Sequence, residues 1–179
     1  IDVLGDGELD LINDAELPSI IYNIFKSFGF DNFTIRVNNR KILNGLFEAI
    51  GQKENATEIL RIIDKIDKIG KEAVIKELEK INVDSTSIEK IISFIEIEGT
   101  SDEKIEKLKK LGFESEIFNN GVEELEFVIK NMRLFGIPED NFNVDLTIAR
   151  GLDYYTGTVY ETFLNDYREL RKCVFRRKI

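Results

Sequence analysis

The chain has no histidine and no tryptophan, and only one cysteine, one methionine and two prolines in 179 residues. A lone thiol, Cys173, excludes an internal disulfide. With histidine absent, one cysteine is too few for a zinc site. No apolar run approaches the roughly 20 residues that a membrane-spanning helix needs. No segment looks like a signal peptide. A cytosolic location is the expectation. The chain opens on Ile1 rather than Met, so its first residue is not expected to be a natural start. Positive charge is the minority: 25 Lys and Arg face 34 Asp and Glu, a net charge of −9. That balance argues against a general nucleic-acid footprint, which needs a basic surface. Any RNA contact must be local or must rest on other parts of the protein. The charge is also uneven, with +5 on residues 168–179 and −14 on residues 1–167.

What is present falls into three stretches. In the first, Ile1–Leu4 reads as a strand. Asp14 reads as the cap of a helix with the apolar face Leu17, Ile20, Ile21, Ile24, Phe25 and Phe28, closed by Gly29. Phe33–Val37 alternates and is β-branched, which predicts a strand. Arg40 to Ile50 predicts a helix ending at Gly51.

Residues 52–135 change character. They are rich in Lys and Glu and poor in glycine, and their apolar residues recur at helical spacing. Ile59, Ile62, Ile63, Ile66 and Ile69 form one stripe, preceded by Asn55 and Glu58 as a capped start. Gly70 interrupts it, and Val74, Ile75, Leu78 and Ile81 continue. Thr86 with Glu89, and Thr100 with Glu103, have capping-box spacing. They introduce the stripes Ile88-Ile91-Ile92-Ile95 and Ile105-Leu108-Leu111. A last helix carries Val122, Leu125, Val128, Ile129 and Met132 and stops before Gly136 and Pro138. Such stripes predict packing rather than chemistry. The expectation is a helical satellite with its own small core. From 142 to 164 the pattern returns to strand, with Thr158, Tyr160 and Thr162 alternating against Val159, Glu161 and Phe163.

One string stands apart. Residues 149–161 read Ala-Arg-Gly-Leu-Asp-Tyr-Tyr-Thr-Gly-Thr-Val-Tyr-Glu. Each polar or glycine position in it costs a buried strand desolvation or backbone entropy. Alone, it reads as a glycine-broken hairpin with a solvated face. As thirteen consecutive residues it closely resembles the histidine-binding signature of the histidyl-tRNA synthetases. Phe33-Thr34-Ile35-Arg36-Val37-Asn38-Asn39-Arg40-Lys41-Ile42-Leu43 resembles the strand-then-helix segment that this family places upstream. Ile1-Asp2-Val3-Leu4-Gly5 and Asp14-Ala15-Glu16-Leu17 resemble its neighbouring stretches, in the family's order. The space between Gly51 and Asn141 matches the family's helical insertion.

The resemblance implies an α+β fold: part of a class II antiparallel sheet with helices, interrupted by an all-helical insertion. It divides the chain into 1–51 and 141–167 as partial catalytic core, 52–140 as insertion, and 168–179 as an anomalous tail. It implies a histidine–tRNA ligase. Histidine attacks the α-phosphate of ATP, which is a substrate accompanied by Mg2+, and the histidyl group passes to tRNA-His. No metal site on the protein is implied, and the complete protein is expected to be a homodimer. Arg150 matches the signature arginine on the α-phosphate, where a guanidinium fork meets developing charge. Gly151 lets the backbone approach the ligand. Tyr154 and Tyr155 offer an aromatic face and a hydroxyl to an imidazole, Tyr155 being favoured on the ring. Asp2 matches the acid that meets the substrate imidazole and selects its tautomer. By itself Asp2 would read as a surface acid. Arg36 reads as a strand-face charge and Arg40 as a helix-start residue.

The family's dimer-contact, ATP-binding-loop and anticodon-binding segments are not recognisable in residues 1–179, so this stretch alone is expected to be inactive. A Gly-Gly-Arg-Tyr segment, due after Asp166, is replaced by Arg171-Lys172-Cys173-Val174-Phe175-Arg176-Arg177-Lys178-Ile179. The family-like peptide Gly-Ser-Val-Phe-Ser-Gly-Gly-Arg-Tyr can be encoded GGA AGT GTG TTT TCC GGA GGA AGA TAT. Read from one base earlier, it becomes AGG AAG TGT GTT TTC CGG AGG AAG ATA, which spells all nine tail residues. The tail therefore reads as a frameshifted translation, against the plainer alternative of a basic RNA-binding arm. Two other functions compete with the ligase: a catalytically dead regulatory relative that senses histidine or tRNA, and a helical interaction module.

Overall fold

The computed structural model describes residues 3–7, 9–148 and 156–167. Within them, eight α-helices and three strands follow in the order α1 (Asn13–Ser27), β1 (Phe33–Asn39), α2 (Arg40–Ala49), α3 (Ala56–Ile63), α4 (Ile66–Ile69), α5 (Lys71–Lys80), α6 (Ser85–Ile95), α7 (Ser101–Lys110), α8 (Glu116–Leu134), β2 (Phe142–Val144) and β3 (Thr158–Leu164), with a short 3-10 turn at Glu139–Asn141 before β2. The class is α+β, as expected.

The described sheet has the order β2-β1-β3. β1 and β3 are antiparallel, from Phe33 opposite Leu164 to Asn39 opposite Thr158. β1 and β2 are parallel, with Ile35 opposite Phe142 and Val37 opposite Val144. The described part of the sheet is thus mixed rather than purely antiparallel. Alternation along β1 sends Phe33, Ile35 and Val37 into the core and Thr34, Arg36 and Asn38 to the other face.

The core face is covered by α1 and α8. Phe25 of α1 packs its ring 5.2 Å from that of Phe33, and Tyr22 does so at 5.7 Å. The side of α1 that is buried therefore runs through Ala15, Pro18, Ser19 and Phe25. The predicted stripe is turned part-way to solvent, and Phe28 is 74% exposed. Tyr160 of β3 donates its hydroxyl hydrogen to the Asp14 carbonyl. Burial pushes its phenol far above the ordinary tyrosine value, so the donor stays protonated.

α8 lies across α2 at unusually close range. A Cβ added at Gly121 would stand 2.7 Å from the Ile42 amide nitrogen, and one at Gly45 would strike the Phe118 backbone. Only glycine permits that approach. The buried apolar residues form one cluster from Ala15 through β1, α2 and α3 to Met132 and Tyr160. The helices of 52–138 share this interior with the sheet, in place of the separate small core expected. α7 is fastened to the sheet as well. The Val144 amide donates to Ser101 Oγ at 3.2 Å, and Lys104 Nζ donates to the Val144 carbonyl at 2.7 Å.

Several helix starts differ from their sequence signals. Asp14 lies in the first turn of α1; the cap position is Ile12, whose amide donates to Asp10 Oδ1 at 3.0 Å. Asp84, not Thr86, caps α6, accepting from the Ser87 amide at 2.9 Å. A carboxylate two residues earlier reaches the free amides first. Asn55 stands at the cap of α3 but its side chain bonds no α3 amide; its Nδ2 donates instead to Gln52 Oε1 at 2.9 Å. Thr100 and Glu103 form the expected capping box in full. Val3 and Leu4 belong to no strand among the described residues, and Leu4 is 93% exposed.

Candidate functional site

The C-terminal end of β1 collects three consecutive buried polar residues, Asn38, Asn39 and Arg40. Burying polar groups is costly unless each finds a partner. Asn39 caps α2: its Oδ1 accepts from the Lys41 amide at 2.9 Å, and its Nδ2 donates to Glu124 Oε2 at 2.9 Å. Lys41 pairs with the other oxygen of Glu124. Asn38 accepts from the Asn39 amide at 2.8 Å and donates through Nδ2 to the Ile148 carbonyl at 3.1 Å. The Arg40 amide donates to the Gly157 carbonyl at 2.9 Å.

A second set of contacts lies on the same sheet face, one turn of the pleat back. Arg36 donates to Asp145 Oδ2 at 2.9 Å and to Asp67 Oδ2 at 3.4 Å. Its guanidinium sits 4.0 Å from the centre of the Phe163 ring. Asp145 is itself a turn former. Its Oδ1 accepts from the Thr147 amide at 2.9 Å and from the Thr147 hydroxyl at 2.6 Å, while its own amide donates to the Val37 carbonyl at 2.9 Å. Glu161, opposite Arg36 in the ladder, is buried on this face. Arg36 is thus a strand-face charge held by acids, and Arg40 is the first residue of α2.

Together these bonds fix the two flanks of the signature segment. The entering chain is tied at 145 and 148, the leaving chain at 157 and along β3. Asp2, Arg150, Gly151, Tyr154 and Tyr155 lie outside the described residues. What the sequence reading missed is the supporting set: Asn38, Asp145 and Gly157. Their signal was present only weakly, as an asparagine pair at a strand end and an Asp-x-Thr turn. Among the described residues no group of acids, cysteines or histidines is arranged to hold a metal ion, and no helix is long and apolar enough to cross a membrane.

Comparison with known proteins agrees with the fold. The family described as "Histidyl-tRNA synthetase" matches residues 3–170. The chain belongs to the histidyl-tRNA synthetase family. A histidine–tRNA ligase of Clostridium tetani is 54% identical over 170 residues, covering 95% of this chain and 38% of that protein. The crystal structure of histidyl-tRNA synthetase from a Nostoc species superposes with a TM-score of 0.90 at 44% identity, over 94% of this chain and 40% of that one. A Bacillus halodurans structure, described as an ATP phosphoribosyltransferase regulatory subunit/histidyl-tRNA synthetase, superposes with a TM-score of 0.74 at 19% identity, over 90% of this chain and 41% of that one. That last likeness is one of fold. The chain thus spans about two fifths of the length of its relatives.

Proposed function

We propose that this chain is the central part of a histidine–tRNA ligase that joins histidine to ATP's α-phosphate and passes the histidyl group to tRNA-His. The observation that carries the reading is the signature at 149–161, set in a family match from 3 to 170. The two tied flanks support it, because a loop that presents ligands needs rigid stems. In this reading Arg150 meets the α-phosphate, Asp2 meets the imidazole, Tyr154 and Tyr155 enclose it, and Gly151 gives the backbone room. Histidine's carboxylate oxygen forms the new bond to phosphorus and pyrophosphate leaves. Mg2+ arrives with ATP. Residues 52–140 act as the helical insertion, residues 1–51 and 141–167 as catalytic core. The complete enzyme is a cytoplasmic homodimer. The 179-residue chain alone is expected to charge no tRNA, since it spans only 38% of its Clostridium tetani relative.

The test is histidine-dependent exchange of pyrophosphate into ATP by the full-length protein carrying this segment. Exchange is expected, and its absence rejects the reading. Arg150→Ala should lower kcat by about a hundredfold or more, as removal of a transition-state contact does, with histidine still bound. Unchanged exchange in that variant would mean that the role belongs to another residue.

A further inference from the structure

We infer that Asn38 is a positioning residue for histidine activation: it holds the chain that enters the signature at a fixed place on the sheet. The inference rests on the ligase reading above. Asn38 is fully buried at the end of β1, on the face that carries Arg36. Its side chain can point only one way. Oδ1 is committed to the Asn39 amide at 2.8 Å, which leaves Nδ2 to face the Ile148 carbonyl at 3.1 Å. Its backbone stands opposite Val159 in the ladder with β3. One residue therefore joins both arms of the signature, the entering arm by side chain and the leaving arm by main chain. The Arg40 amide, two residues on, holds Gly157 as well.

Arg150 follows Ile148 by two residues, a reach of at most about 7 Å of chain. A displacement of Ile148 is passed on to Arg150, and misplacement of a catalytic group by about 1 Å costs on the order of a hundredfold in rate. The chemistry also selects the residue type. Aspartate has the same shape, but it would set a carboxylate oxygen against the Ile148 carbonyl, where both repel. Serine is too short to reach it.

The experiment is steady-state pyrophosphate exchange by the full-length ligase carrying this segment, as wild type, Asn38→Asp and Asn38→Ser, with thermal melting of each. The expected result is a fall in kcat of about ten- to a hundredfold. The KM for histidine should change by less than about threefold, with a cooperative melt retained. A folded variant whose kcat stays within about twofold of wild type overturns the inference, as does a rise in KM with kcat unchanged. Loss of cooperative melting in both variants would assign Asn38 to the fold alone and overturn it too. No exchange by the wild-type protein would instead reject the ligase reading, and the positioning role with it.

Discussion

Gly45 and Gly121 do for the helices what Asn38 does for the signature and Asn39 for α2: each makes possible a contact that no larger or less polar residue allows. At Gly121 the obstacle to a side chain is the Ile42 backbone nitrogen, 2.7 Å away, which cannot swing aside. Gly121→Ala gains roughly 1 kcal/mol of helix propensity and loses more to overpacking, about 1–3 kcal/mol. The expected outcome is a net loss of stability in urea unfolding; a more stable variant would show that α8 can lift from α2 freely. Asn39→Ala should cost about 1 kcal/mol through the lost cap of α2. Neither pair was legible as such. A glycine in a helical stripe looks like a flaw until the crossing helix is known, and the role of Asn38 depends on a carbonyl 110 residues away.

Among elements, the helices were the most readable, because a 3.6-residue apolar period records burial directly. The stripes at 88–95 and 122–132 are buried as read. Their starts were less readable, since Asp84 and Thr86 both carry capping chemistry and only one can sit at the boundary. Strands were harder still. β1 meets β3 across more than a hundred residues, and the parallel pairing with β2 has no local sign. The box at α7 offers a test. Bonds from the Thr100 amide and hydroxyl hold the Glu103 carboxyl below its ordinary range. The folded value lies below the unfolded one, so the bonus is present above about pH 4.3 and fades as pH falls through the folded value. Glu103→Ala should therefore destabilise the protein at pH 7, and the difference should shrink at a pH well below the ordinary carboxylate range, as followed by thermal melts. An equal difference at both pH values would remove the carboxylate from the account.

At the scale of the whole molecule, the family and fold class were legible because thirteen consecutive residues closely resemble the family's signature, whereas the continuity of the core was not. Composition showed two regimes, but α8 returns from the helical stretch to cover β1, and periodicity says nothing about what a helix packs against. The family match ends at residue 170, beside the basic residues 171–179. We propose that these nine residues arise from a shifted reading frame. Sequencing the gene in its source is expected to show the Gly-Gly-Arg-Tyr codons in the neighbouring frame. A genome that encodes the basic tail in one uninterrupted frame would reject the idea.

The fastening of α7 to Val144 has a consequence for how the molecule is extended. A sheet grows when a newcomer finds outward-pointing peptide groups to pair with. At Val144 those groups are already taken, by a serine hydroxyl and a lysine ammonium. A helix thus does there the work of a terminal strand, with two side chains in place of a ladder. The sheet consequently has a finished border at Val144, closed by side chains.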